Sequence, residues 1–265
     1  MTLMPRLPLF KMDGGKVMNM KRMLRLEEIS LNGWPALQTV LYDGWLLRFA
    51  DGYTKRSNSI SPIYGSNLEL DGKIAYCEQQ YREKGYPVVF KLTQLAQPGR
   101  LDDRLGELGY RIVDPTWCKT ASLEGLREPA HREAILEPEP SGFWLECVTA
   151  MNGLMKAQRD TTRKMMQEQP LDKCFAVLLQ DGKPVACGAA VREGAWVGFY
   201  DIVTDPSSRN KGYGEQLMLH LLQWGKRRGA TDAYLLVVQA NAAANRLYDK
   251  LGFRTEYEYW YRVKA

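Results

Sequence analysis

The sequence predicts an α/β protein with mixed sheets flanked by helices, arranged as two tandem copies of one unit. Three observations carry this prediction. In the second half, alternating segments are punctuated at hairpin distance and then give way to strand, helix, strand, helix, strand. Two landmarks recur at an offset of 144: Lys84-Gly85 falls on Arg228-Gly229, and Ser61-Pro62 on Asp205-Pro206. After one deletion, Glu107-Leu108-Gly109-Tyr110-Arg111 falls on Lys250-Leu251-Gly252-Phe253-Arg254.

In chain order, residues 1–23 carry several methionines and lysines without a long apolar run, and are expected to be a flexible start. The first unit, 24–127, reads as a helix near Leu26 to Gln38 and a hairpin from Gly44 to Ile60 turning at Asp51-Gly52. A helix from Asn67 to Lys84, a strand from Val88 to Thr93, a helix near Asp102 and a strand from Arg111 to Leu123 complete it. Gly125 to Pro140, with Pro129, Pro138 and Pro140 among charged residues, reads as the linker.

The second unit, 128–265, begins with a helix from Phe143 to Gln167, where Leu145, Val148, Met151, Leu154 and Met155 recur at helical spacing. Phe175 to Leu179, Pro184 to Val191 and Trp196 to Val203 read as strands, because Asp181-Gly182 and Glu193-Gly194 separate them. The helix from Gly212 to Arg228 puts Leu217, Leu221 and Trp224 on one face, ends on basic residues that suit its dipole, and is capped by Gly229. A strand (Ala233 to Val238), a short helix (Ala242 to Leu251) and an aromatic strand (Thr255 to Val263) follow, the last with Tyr257, Tyr259 and Tyr261 on one face.

Composition narrows the function classes. The chain has 265 residues, 45% hydrophobic and 25% charged, which is too apolar for a disordered protein. No run approaches the roughly 20 apolar residues of a membrane span, so no membrane association is expected. Lys plus Arg exceeds Asp plus Glu by 36 to 31, which suits an anionic ligand; the charges are interspersed and no RNP-type aromatic motif occurs, so no nucleic acid is expected. Five cysteines without a CxxC pair and only two histidines argue against a metal and for a reduced, cytoplasmic protein. His220, mid-helix beside Leu217 and Leu221, reads as structural, and His131 as solvated.

The segment that carries chemistry is Val203-Thr204-Asp205-Pro206-Ser207-Ser208-Arg209-Asn210-Lys211-Gly212-Tyr213-Gly214-Glu215, between a strand and a helix. Its glycines let successive N–H groups turn inward at a helix N-terminus, where the dipole favours an anion, and Arg209 and Lys211 add charge suited to a pyrophosphate. It is not a P-loop, because no GK[ST] follows.

The string R-x-x-G-x-G after Ile202-Val203-Thr204-Asp205-Pro206, followed by Asn241-x-x-Ala244-x-x-Leu247-Tyr248-x-x-x-Gly252-Phe253, resembles the GNAT superfamily of acyl-CoA N-acetyltransferases. The resemblance covers about Ile135 to Ala265. It implies a sheet splayed between the fourth and fifth strands with acetyl-CoA in the gap. The backbone of Arg209, Asn210, Lys211, Gly212, Tyr213, Gly214 and Glu215 would hold the pyrophosphate, while Ile202, Val203 and Thr204 would pair with the pantetheine as a strand does. Asn241 would hold the pantetheine arm, and Tyr248 would be the general acid that protonates the departing thiolate.

The general base departs from the family's pattern. Its branches place a glutamate around Gly198 or at the position of Leu236, and neither carboxylate is here. Asp201 is the nearest ionisable side chain on that strand, and alternation puts it with Val197, Phe199 and Val203. The expected activity is acetyl transfer from acetyl-CoA to a primary amine, on a small molecule or a peptide, by direct attack in a ternary complex. The rival is a CoA-binding regulatory or interaction module without turnover. The first unit lacks the motif, reading Tyr64-Gly65-Ser66-Asn67-Leu68 at the equivalent turn, with Pro98 and Leu105 in place of Asn241 and Tyr248, and is expected to have lost its cofactor site.

Overall fold

The computed structural model describes residues 19–264. Seven α-helices and eleven strands are described: α1 Met20–Gly33, β1 Gln38–Tyr42, β2 Trp45–Phe49, β3 Ile60–Ser61, α2 Leu70–Glu83, β4 Val88–Leu92, α3 Leu101–Glu107 and β5 Arg111–Ser122. Then come β6 Ala134–Glu137, α4 Gly142–Asn152, α5 Lys156–Gln167, β7 Asp172–Gln180, β8 Lys183–Glu193, β9 Trp196–Thr204, α6 Tyr213–Arg227, β10 Asp232–Val238, α7 Ala242–Lys250 and β11 Arg254–Lys264.

All strands join one sheet in the order β1-β2-β3-β4-β11-β5-β10-β9-β8-β7-β6. The pairing is mostly antiparallel, with parallel contacts only at β3–β4 and β9–β10. The centre of the sheet is an exchange. The last strand of the first half, β5, pairs with β10, and the last strand of the second half, β11, pairs with β4; the two then pair with each other. Elements related by the sequence offset match across this exchange, β4-α3-β5 with β10-α7-β11, and Gly85 and Gly229 close α2 and α6 in the left-handed conformation.

Helices cover both faces. Met23, Leu26 and Ile29 of α1, Trp144 and Val148 of α4, and Met165 of α5 pack with Phe175, Val177, Ala189 and Tyr200. Leu217, Met218, Leu221 and Trp224 of α6 and Tyr248 of α7 pack with Val197, Phe199 and Leu235. Each fully buried valine, leucine, isoleucine, phenylalanine or methionine among them contributes about 1.5–3 kcal/mol relative to leaving it exposed.

Several local expectations need correction. The first hairpin turns at Asp43-Gly44, not Asp51-Gly52, which instead opens the long β2–β3 loop. The expected single helix from Phe143 breaks into α4 and α5 at Gly153, whose φ of 64° ends α4. The linker contains an edge strand, β6. Positions 1–18 lie outside the described residues, but Asn19 caps α1 and Met20 to Met23 form its first turn, with Met23 buried. His131 is not simply solvated, since its Nε2 lies 2.5 Å from the Leu179 carbonyl oxygen. His220 is tied by Nε2 to the His131 carbonyl at 2.8 Å, as a structural histidine would be.

Candidate active site

The site begins where β9 and β10 part. Their parallel ladder runs from Trp196 opposite Asp232 to Phe199 opposite Leu235 and stops, although both strands continue. Tyr200–Thr204 and Leu236–Val238 therefore flank a wedge with unpaired edges.

A bulge in β9 sits at the mouth of that wedge. Cys187 of β8 faces Val203 and Ala189 faces Tyr200, so Asp201 and Ile202 together oppose Gly188. Asp201 absorbs the extra residue with φ of 50°. The bulge overturns strict alternation: Val197, Phe199 and Ile202 pack toward α6, whereas Tyr200 and Val203 pack toward α1 and α4. Asp201 lies within electrostatic reach of Tyr53, Arg56 and Cys187, and so is not on the face of Val197 and Phe199.

The turn that follows β9 leads into α6. Asn210 has φ of 62° and Gly212 φ of 83°, and together they coil the chain into the helix. Among the described residues, the amides of Arg209 to Gly214 donate to no protein acceptor, while Glu215 N and Gln216 N both donate to the Gly212 carbonyl at 3.1 Å. At Gly214 a Cβ would approach Thr204 Oγ1 at 3.1 Å, so a side chain there would crowd β9. Arg209 and Lys211 are exposed beside it. The buried Glu215 carboxylate is held by Arg127 and, at 2.5 Å, by Lys250, so its side chain braces α6 against the linker and α7.

Asn241 caps α7, accepting from Ala244 N at 3.1 Å, which commits its Oδ1 and leaves its amide nitrogen without a protein acceptor among the described residues. Tyr248 is 8% exposed, and its ring meets Phe253 edge-on at 6.0 Å. Burial pushes its hydroxyl up to about 12, partly opposed by Arg56. Burial likewise pushes the Asp201 carboxyl up to about 6, again with Arg56 opposing. A carboxylate titrating there is basic enough to take a proton near neutral pH.

The missing glutamates have a steric explanation in one case. A Cβ on Gly198 would lie 2.3 Å from Tyr234 Cζ, so the Tyr234 ring fills the space where a carboxylate would project. Tyr234 Oη lies 2.6 Å from Tyr200 Oη and donates to the Ile29 carbonyl at 2.9 Å, locking α1 of the first half onto β9 and β10.

Two further residues were not singled out by sequence reasoning. Arg56 comes from the β2–β3 loop of the first half, and no local motif marks it. Asn245 on α7 donates to the Val238, Gln239 and Asn241 carbonyls, while its buried Oδ1 has no partner among the described residues. Its i+4 spacing from Asn241 was the available signal.

The splayed sheet, the bulged strand and the amide-lined turn define an N-acetyltransferase of the GNAT superfamily. The family described as "Probable histone acetyltransferase Rv0428c C-terminal" matches residues 22–262, and the chain belongs to it. An uncharacterized N-acetyltransferase of Bacillus subtilis, YobR, is 28% identical over 247 residues, 91% of this chain and 98% of that protein. The probable histone acetyltransferase Rv0428c of Mycobacterium tuberculosis is 27% identical over 245 residues, 86% of this chain and 70% of that protein. A solved GCN5-related N-acetyltransferase from Kribbella flavida shares the fold with a TM-score of 0.70 at 19% identity, covering 91% of this chain and 95% of that one. The protein is thus an acyltransferase. No described helix is long and apolar enough to cross a membrane.

Proposed function

We propose that the protein transfers the acetyl group of acetyl-CoA to a primary amine by direct attack in a ternary complex. The observation that carries this reading is the end of the β9–β10 ladder at Phe199 and Leu235, on a strand that runs on into a turn whose amides from Arg209 to Gly214 donate to no protein acceptor among the described residues. A strand edge and an anion cradle in line suit a molecule that is extended at one end and a pyrophosphate at the other.

The bound co-substrate supplies a thioester whose carbonyl carbon accepts the amine. Backbone amides from Arg209 to Gly214 hold the pyrophosphate, Ile202 to Thr204 pair with the pantetheine, and the Asn241 amide group holds its arm. Asp201 takes a proton from the incoming ammonium, so that the neutral amine forms the new C–N bond. As the tetrahedral adduct collapses and the C–S bond breaks, Tyr248 gives its proton to the sulfur and regains one from the nitrogen, which sheds its second proton to become a neutral amide. The high proton affinity of Tyr248 suits an acid that keeps its proton until a thiolate forms beside it.

We also propose that 24–127 is a degenerate copy and 128–265 the catalytic one. The equivalent turn before α2 supports this: its amides at Asn67 and Leu68 donate to the Asp43 carboxylate, so an internal anion occupies the place of a phosphate. Acetyl-CoA consumption with a panel of primary amines tests the reading. Amine-dependent release of free thiol is expected, and tight CoA binding without turnover would favour a regulatory module.

A further inference from the structure

The two edges of the sheet are built differently. The edge at β6 is guarded by charge and proline, since Glu133 precedes the strand, Glu137 ends it, and Pro138 and Glu139 follow. At the other edge, β1 reads Gln38-Thr39-Val40-Leu41-Tyr42, and no charged residue occurs from Ile29 to Tyr42. It is exposed on both faces, with Val40 44% and Leu41 66% accessible. An uncharged, proline-free edge strand with apolar side chains outward is a template on which another strand pairs.

The register of β1 fixes which of its backbone groups face outward. The Asp43-Gly44 turn, with φ of 43° and 81°, joins β1 to β2 and sets Tyr42 opposite Trp45. In such a two-residue hairpin the pair beside the turn exchanges hydrogen bonds, and the pairs alternate from there. Tyr42, Val40 and Gln38 are thereby spent on β2, while Thr39 and Leu41 aim their N–H and C=O groups away from it. Arg48, opposite Thr39, shows the same parity by donating its N–H toward β3, to the Ser59 carbonyl at 3.2 Å. Among the described residues, no hydrogen bond takes up the outward groups of Thr39 or Leu41. Beside Thr39 the same face opens into a groove of about 530 Å³ with apolar walls from Leu31, Pro35, Ala36, Leu46 and Leu171. Its charged members are engaged already: Arg48 donates to the Leu31 and Trp34 carbonyls, and Glu193 accepts from Arg25 and Asn32.

We propose that β1 is a dimer interface, pairing antiparallel with β1 of a second copy about a two-fold axis at Val40. Thr39 then faces Leu41 of the second copy and Leu41 faces its Thr39, each pair exchanging two hydrogen bonds, so the outward groups of both copies are satisfied within the strand. A register shifted by two residues sets Thr39 or Leu41 against itself and leaves the other opposite Asp43 or Leu37, outside the strand. Directly opposed residues share a face, so the exposed Leu41 of each copy comes to lie beside Thr39, at the groove of the other. A second copy is the occupant because strand and groove complement themselves. The strand brings an exposed leucine and no charge, and the groove next to it offers apolar walls and no charged group awaiting a partner. A charged peptide would find no counter-ion along this edge.

The test uses the full chain and is independent of its activity. Analytical ultracentrifugation at tens of micromolar should find a dimer. Val40→Cys should form a disulfide-linked dimer on oxidation, because a non-hydrogen-bonded pair on the axis brings its Cα atoms to about 4.5 Å, within disulfide reach. Gln38→Cys should not, since its counterpart lies roughly 13 Å away along the strand. The native cysteines are buried and give no background. Leu41→Lys should raise the dimer dissociation constant at least tenfold with far-UV circular dichroism unchanged. A wild-type monomer at that concentration would overturn the inference, as would a dimer that Leu41→Lys leaves intact or one that Gln38→Cys cross-links as well as Val40→Cys does.

Discussion

Asp43 Oδ2 lies 2.9 Å from the Nζ of buried Lys73 and also accepts from Ser66 Oγ, Asn67 N and Leu68 N. The turn before α2 therefore carries its own anion. The Lys73 ammonium and these amides hold the Asp43 carboxyl far below the usual carboxylate range. Calorimetry should find one CoA per chain, and Asp43→Ala should lower the melting temperature without changing that stoichiometry.

The Gly212 position has open space but φ of 83°, which a β-branched residue rarely adopts. Gly212→Val should turn the free amides away from their common focus and reduce CoA affinity at least a hundredfold. Far-UV circular dichroism should be unchanged, because the residue sits outside α6.

Tyr248→Phe keeps the edge-on contact with Phe253 and removes only the proton. It should lower kcat by roughly 10²- to 10⁴-fold, typical of a lost general acid, with acetyl-CoA affinity nearly unchanged. A loss below about threefold would assign the proton to water.

Asp201 links activity and stability with opposite signs. Its carboxyl is raised by burial from an ordinary 3.8 to about 6, so the folded protein prefers the protonated form. That stabilisation is complete below about pH 4 and is lost as pH rises through about 6, where the carboxylate must form inside the cleft. Activity should rise through the same window. Asp201→Asn should flatten the acidic limb, lower kcat and stabilise the fold at pH 7 by up to about 3 kcal/mol, read by urea unfolding.

The strand exchange predicts the fate of a fragment from Glu128 to Ala265. Without β5, the paired edges of β10 and β11 become open, and open edges recruit other chains. The fragment should aggregate on size-exclusion chromatography, and adding residues 19–127 during refolding should rescue it.

Much of the fold and of the glycine turn before α6 was legible in the sequence, because the physics there is local. Gly85, Gly109, Gly229 and Gly252 terminate helices through their own φ, so four matching helix ends could be read along the chain. Arg209 to Gly214 coil into α6 through the turn's own positive φ at Asn210 and Gly212, and need no distant partner. Tertiary structure decided what depends on contacts between remote segments. The exchange of β5 and β11 leaves no mark in either strand, since both read as buried strands wherever they pair. The bulge at Asp201 re-aims that side chain, and alternation cannot foresee an inserted residue. Tyr234 excludes a carboxylate at Gly198 from 36 residues away, and Arg56 reaches Asp201 from the other half of the chain. Charges and rings separated by so much chain meet only once the sheet has closed, so the glycine turn belongs to the sequence and the surroundings of Asp201 to the fold.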